Sequence, residues 1–194
     1  MRTENSKCGQ SGLAKAEDCL LLIVDIQTRL APLISGIEMV TENIVKLARF
    51  AEILRIPVVL AEQINLGETV PEIRAALGDC EALKKNQFDC FGSDALNARL
   101  SDSGRRVLLT VGIETHICVA QTAISGLCRY NVHVVADATS SRNLIDRDMA
   151  FQRMQRAGVT LNTTEMLMYE LLEQAGTEEF RETLKLVKSK KMSS

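Results

Sequence analysis

The chain has 194 residues, of which 46% are hydrophobic and 25% charged, with a formal net charge of −2. This size suits one domain with a buried core, and a charge so near zero argues against nucleic acid or an anionic membrane as partner. Aromatic residues make up only 4%, with no Trp, which disfavours a platform for stacked bases.

Residues 1–17 are polar and carry Ser and Gly, so they read as a flexible N-terminal arm ahead of a single domain at 18–194. The arm lacks the apolar stretch of a secretory leader. Its Arg2, Lys7 and Lys15 leave organelle targeting open, although Glu4, Glu17 and Asp18 oppose it. Six cysteines with no CxxC pair then fit reduced thiols in the cytoplasm.

Two periodicities alternate through the body of the chain. Short apolar runs at Cys19–Val24, Pro57–Ala61, Arg106–Val111 and Val132–Ala136 predict strands, with weaker ones near Ala82–Lys84 and Val159–Leu161. The four clear runs are mostly apolar rather than alternating, as in strands buried on both faces. Between them, Ile37, Val40, Ile44, Leu47, Ala51 and Leu54 line one face of a helix that stops before Pro57. Ile117, Ala120, Ile124, Leu127 and Cys128 form a second stripe, with Cys118 one position off it. Further helices are predicted around Met149–Met154, ending near Gly158, at Met166–Leu172 and at Glu178–Lys190. Strand and helix in alternation predict a three-layer α/β/α, Rossmann-like fold with a mostly parallel six-stranded sheet. Such sheets bind ligands beyond the carboxyl ends of their strands.

Three reactive residues follow strands. Asp25 ends Leu22-Ile23-Val24-Asp25, where a carboxylate needs a partner or a pocket. It serves there either as a structural cap or ion pair, or in chemistry. Lys85 follows the third run, beside Lys84. Cys118 follows the Gly112 turn where a helix opens, a position that favours thiolate and lowers a thiol pKa. The alternative for Cys118 is a buried structural thiol. In the strand order 3-2-1-4-5-6, strands 1 and 4 are neighbours, so Asp25 and Cys118 face each other across the switch point. No GxGxxG follows the first strand, which removes the usual dinucleotide fingerprint.

LLIVDIQ, Lys85-Asn86-Gln87-Phe88-Asp89-Cys90-Phe91 and GIETHICVAQTA occur in order, and in these segments the chain resembles the isochorismatase-like cysteine hydrolases from about Cys19 to Lys188. VHVVADATSSR and Ala61-Glu62-Gln63 point within it to the isochorismatase-domain-containing branch. The resemblance implies a catalytic triad of Asp25, Lys85 and Cys118, the spacing to the aromatics selecting Lys85 over Lys84. It implies a cis Ile113–Glu114 bond and an oxyanion hole from the Glu114 and Cys118 amides. The Glu114 side chain itself is expected on a helix face or at a subunit contact. Gln63, Phe88 and His116 become substrate-binding candidates, and Asp137 and Ser140 read as residues of the turn after strand 5. Nicotinamidases of the family bear an Asp-x-His metal site where this chain has Glu62-Gln63-Ile64-Asn65, and only His116 and His133 are present, so no metal or other cofactor is expected. The resemblance thus implies a thiol amidohydrolase for a small-molecule substrate, assembled as a homo-oligomer of two or more copies. The alternatives are a vinyl-ether hydrolase of isochorismatase type, which does not need Cys118, and a catalytically idle oligomeric binding protein.

Overall fold

The computed structural model describes residues 13–188. A six-stranded sheet runs in the order β3-β2-β1-β4-β5-β6. Its strands are β1 (Cys19–Val24), β2 (Val58–Gln63), β3 (Ala82–Lys85), β4 (Val107–Ile113), β5 (Asn131–Ser140) and β6 (Thr160–Asn162). All five pairings between them are parallel.

The continuous apolar run of β1 divides between two cores because successive side chains leave opposite faces of a strand. Cys19, Leu21 and Ile23 join one cluster with α1 (Ile37–Ile53), α2 (Pro71–Leu77), α6 (Thr164–Leu172) and α7 (Glu178–Lys188). Leu20, Leu22 and Val24 join the other with α3 (Asp94–Asp102), α4 (Ala120–Gly126) and α5 (Leu144–Ala157). The result is the three-layer α/β/α architecture that the sequence predicts.

Several details differ from the sequence reading. Helices α2 and α3 were not expected. Each is short and polar, burying only Ile73 in one and Leu96 and Leu100 in the other, too little for a visible stripe. Strand β5 continues to Ser140, past the expected turn. Its ladder jumps from Thr110↔Val134 to Gly112↔Thr139, so a bulge lets Thr139 and Ser140 rejoin the sheet. Asp137 and Ser140 bond remote elements: Asp137 Oδ1 accepts from the Thr164 N–H and hydroxyl at the start of α6, and the Ser140 hydroxyl donates to the Ser35 carbonyl. Of the expected arm, residues 1–12 lie outside the described residues, as do 189 and 190 of the expected last helix. Residues 13–17 are not loose throughout: Ala14 is buried, and its N–H donates to Glu170 Oε1.

Candidate active site

The carboxyl edge of the sheet is where β1, β2, β3 and β4 bring the candidate residues together. Asp25 lies one residue beyond β1, in a left-handed backbone conformation with φ 52°. Its N–H donates to the Ala61 carbonyl of β2 at 3.0 Å, which fixes the turn against the neighbouring strand. Lys85 ends β3, two strands away. Neighbouring strands are about 4.8 Å apart, so a cation anchored on β3 must cross β2 to reach Asp25, and a long flexible lysine can do so. Lys85 Nζ sits 2.7 Å from Asp25 Oδ2, with both side chains all but removed from solvent. Lys84 is exposed, so the distinction between the two lysines is one of burial.

The thiol comes from the other side of β1. Strand β4 pairs with β1 through Val24↔Gly112. Gly112 has φ +116°, and a Cβ there would lie 2.0 Å from the Val24 carbonyl oxygen. Only a residue without a side chain lets the strands approach in this way. The chain then passes through the cis Ile113–Glu114 bond into a π turn, Thr115–Val119, that leads into α4. The Glu114 carbonyl accepts from the N–H groups of Ile117 and Val119, on either side of Cys118. Thr115 and Thr139 share a hydroxyl–hydroxyl bond of 3.0 Å, tying this turn to β5.

The electrostatics of the three groups are coupled. Burial raises the Asp25 pKa, and Lys85 and the Cys118 thiol only partly offset it. For Lys85, burial alone would lower the pKa, but the Asp25 carboxylate and Cys118 outweigh it and the net shift is upward. Asp25 Oδ2 is taken by the lysine, whereas Oδ1 has no hydrogen-bond partner among the described residues. A carboxylate with raised basicity, one bare oxygen and a thiol interacting with it is suited to accept a proton from that thiol.

Here the structure overturns the expectation of a thiol pKa lowered by a helix terminus. Cys118 is only 6% exposed, packed into the core cluster beneath α3, α4 and α5. Burial first, then the Asp25 carboxylate, drives its pKa well above the ordinary thiol range, and Lys85 offsets only part of this. Burial and the neighbouring carboxylate thus favour the protonated thiol.

The weaker site candidates differ in their surroundings. His116 is half-buried, and its Nδ1 bonds the Ser141 hydroxyl at 2.9 Å. Phe88 is 54% exposed on the loop after β3. Gln63 is half-buried at the end of β2. Its side-chain Oε1 accepts from Lys85 Nζ at 2.7 Å, and its Nε2 donates to the Asn86 carbonyl at 2.8 Å, so both ends of the amide have partners within the protein.

The Isochorismatase domain model matches residues 19–166. The chain belongs to the isochorismatase family. It is 36% identical to isochorismatase domain-containing protein 2 of Danio rerio over 182 residues, covering 91% of this chain and 90% of that protein. A Caenorhabditis elegans protein described as MAR1 ribonuclease superposes with TM-score 0.85 at 32% identity, over 91% of this chain and 92% of its own. The Escherichia coli YcaC gene product, described as an octameric hydrolase of unknown specificity, superposes with TM-score 0.81 at 25% identity, over 90% and 87% of the two chains. This chain is an isochorismatase-family hydrolase, and among its described residues no helix is long and apolar enough to cross a membrane.

Some supporting residues of the site escaped the sequence reading. The Glu114 carboxylate, expected on a helix face or at a subunit contact, is buried and accepts from the Arg142 N–H at 2.9 Å and from its guanidinium Nε at 3.1 Å. It thereby fastens the end of β5 to the turn before Cys118. Gln27 grips β2 by both backbone groups of Gln63, accepting from its N–H and donating to its carbonyl, each at 2.9 Å. The only available signal was indirect: a buried polar side chain just past a buried strand must find partners, but the sequence does not say which.

Proposed function

We propose that this isochorismatase-family hydrolase is a metal-independent cysteine amidohydrolase that opens a small amide, or a related carbonyl compound, through a thioester. The observation that carries the reading is the buried Lys85–Asp25 pair, with one carboxylate oxygen taken by the ammonium and the other without a hydrogen-bond partner among the described residues, and with the Cys118 thiol interacting with the same carboxylate. Asp25 accepts the S–H proton as the sulfur attacks the carbonyl carbon. The developing oxyanion lies against the amides of Glu114 and Cys118. Its collapse breaks the C–N bond while Asp25 returns the proton to the leaving nitrogen, giving a thioester and a free amine. Asp25 then takes a proton from water, the hydroxide attacks the thioester, and the acid leaves as the thiol is restored. Lys85 holds the carboxylate in place and balances its charge throughout.

The raised thiol pKa supports proton transfer concerted with attack. A standing thiolate would react with an electrophile on its own, whereas the reaction of this thiol with any electrophile depends on Asp25 and Lys85. The nuclease description of the C. elegans protein does not suit this chain, because a formal net charge of −2 favours no polyanion. We place the protein in a reducing compartment such as the cytoplasm, in keeping with Cys19, Cys80, Cys90, Cys118 and Cys128 as free thiols, and as a homo-oligomer, in keeping with the octameric relative.

The test is a panel of small primary amides assayed for ammonia release, with acyl-enzyme trapping by mass spectrometry. Turnover of at least one member, an acyl adduct on Cys118 and loss of both in Cys118→Ala are expected. Hydrolysis of isochorismate that persists in Cys118→Ala would replace the reading with vinyl-ether chemistry.

A further inference from the structure

We infer that Gln63 is a positioning residue, which keeps the Lys85 ammonium charged and aimed at Asp25. The inference rests on the proposed roles of Asp25, Lys85 and Cys118, and adds a fourth member to them. An ammonium carries three N–H donors. Those of Lys85 have three acceptors within the protein: Asp25 Oδ2 at 2.7 Å, Gln63 Oε1 at 2.7 Å and the Gln87 carbonyl at 3.2 Å. With all three donors engaged, Lys85 has none to offer a substrate oxyanion. It acts on the carboxylate and, through charge, on the thiol.

The placement of Gln63 is built into the sheet. Gln63 and Lys85 are register partners on β2 and β3, and partners in a ladder project their side chains from the same face. The Gln63 amide therefore stands on the path along which Lys85 reaches over β2. Its orientation is fixed from the other end, where the amine donates to the Asn86 carbonyl. A reversed amide would set its amine against the ammonium and its oxygen against that carbonyl. The backbone of Gln63 is clamped in turn by Gln27, two residues past Asp25. Chain segments on both sides of Asp25 and Lys85 thus converge on one glutamine. Without its oxygen, the buried ammonium would lose one of two short bonds and desolvation would favour the neutral amine. A neutral Lys85 cannot balance the Asp25 carboxylate or a forming thiolate.

The test follows the rate of Cys118 alkylation by iodoacetamide against pH, resolved by peptide mass spectrometry and normalised to the exposed Cys128 in the same molecule. Gln63→Met keeps the length and removes the acceptor, so it is expected to slow Cys118 roughly tenfold at pH about 8, the scale of one hydrogen bond to a charged group, while Cys128 is unchanged. Gln63→Ala opens room for a water to serve as acceptor, since Gln63 is only half-buried. It is therefore expected to slow Cys118 less than Gln63→Met, although it removes more packing. A purely structural role would give the opposite order, and that order, or a normalised rate equal to wild type in both variants, overturns the inference. Lys85→Met separates the two levels. If it slows Cys118 and the Gln63 variants do not, the inference fails and the triad stands; if Lys85→Met has no effect, the proposed triad fails with it.

Discussion

Replacing Gly112 by alanine tests the geometry on which the site depends. The added Cβ would lie 2.0 Å from the Val24 carbonyl oxygen, 2.7 Å from its nitrogen and 2.8 Å from its carbonyl carbon. These are backbone atoms of a central strand and cannot swing aside as a flexible side chain can. Two terms add. An L side chain at φ +116° costs about 1–3 kcal/mol, and forcing β1 and β4 apart costs about 1–3 kcal/mol more. The sum of roughly 2–6 kcal/mol is a large share of the 5–15 kcal/mol that holds a typical domain together. At about 2–4 °C per kcal/mol for a chain of this size, the melting temperature is expected to fall by roughly 4–24 °C. Gly104→Ala is the control, because Gly104 also has a positive φ but a Cβ there meets nothing within 4 Å. It carries the conformational term alone. The assay is thermal unfolding by circular dichroism, with Cys118 alkylation measured below the transition. In any Gly112→Ala protein that folds, Asp25 and Glu114 should be displaced, since Val24 and Gly112 are paired, and activity should fall with them. A melting temperature for Gly112→Ala no lower than that of Gly104→Ala would refute the argument that close strand approach sets this site.

Glu114→Ala strands the Arg142 N–H and guanidinium that the buried carboxylate holds. A loss of about 1–3 kcal/mol in denaturant unfolding is expected, together with reduced turnover, and a neutral result would show that this tie does not order the turn before Cys118. His133 is buried, with Nδ1 3.0 Å from Asn162 Oδ1 and Nε2 without a partner among the described residues. Burial lowers its pKa from 6.5, against partial opposition from Asn162 and Glu170. The unfolded chain then takes up the proton first as the pH falls, so stability should decline from about pH 6.5 downward and level off below the folded-state pKa. His133→Gln should flatten that limb in urea titrations at stepped pH, and an unchanged slope would assign it to other groups. Asp25→Asn should lower amide turnover by about 10²–10⁴-fold, measured as ammonia release, and activity within threefold of wild type would remove Asp25 from proton transfer. Dialysis against a chelator should leave turnover intact, and restoration by added zinc after a loss would contradict a metal-independent reaction.

What the sequence determined by itself was the layer pattern and the edge of the sheet that carries chemistry. The uninterrupted apolar run of β1 and the nearly apolar run of β4 call for burial on both faces, and that requirement is local and readable. Once the strands are placed, Asp25, Lys85 and Cys118 fall at the same edge by topology. The short elements α2, α3, β3 and β6 left weak signals because each buries few side chains, so their stability comes from neighbours. The finer features of the site depended on contacts between residues far apart in the chain. Lys85 and Asp25 are 60 positions apart, and Arg142 lies 28 from Glu114; no periodicity couples them. The Cys118 pKa shows the difference most directly. Its place in the opening turn of a helix is written in the sequence and favours thiolate, but the direction of the shift is set by desolvation and by a carboxylate from another strand. Only the assembled core brings these to the sulfur, and in a medium of low polarity they outweigh the local effect.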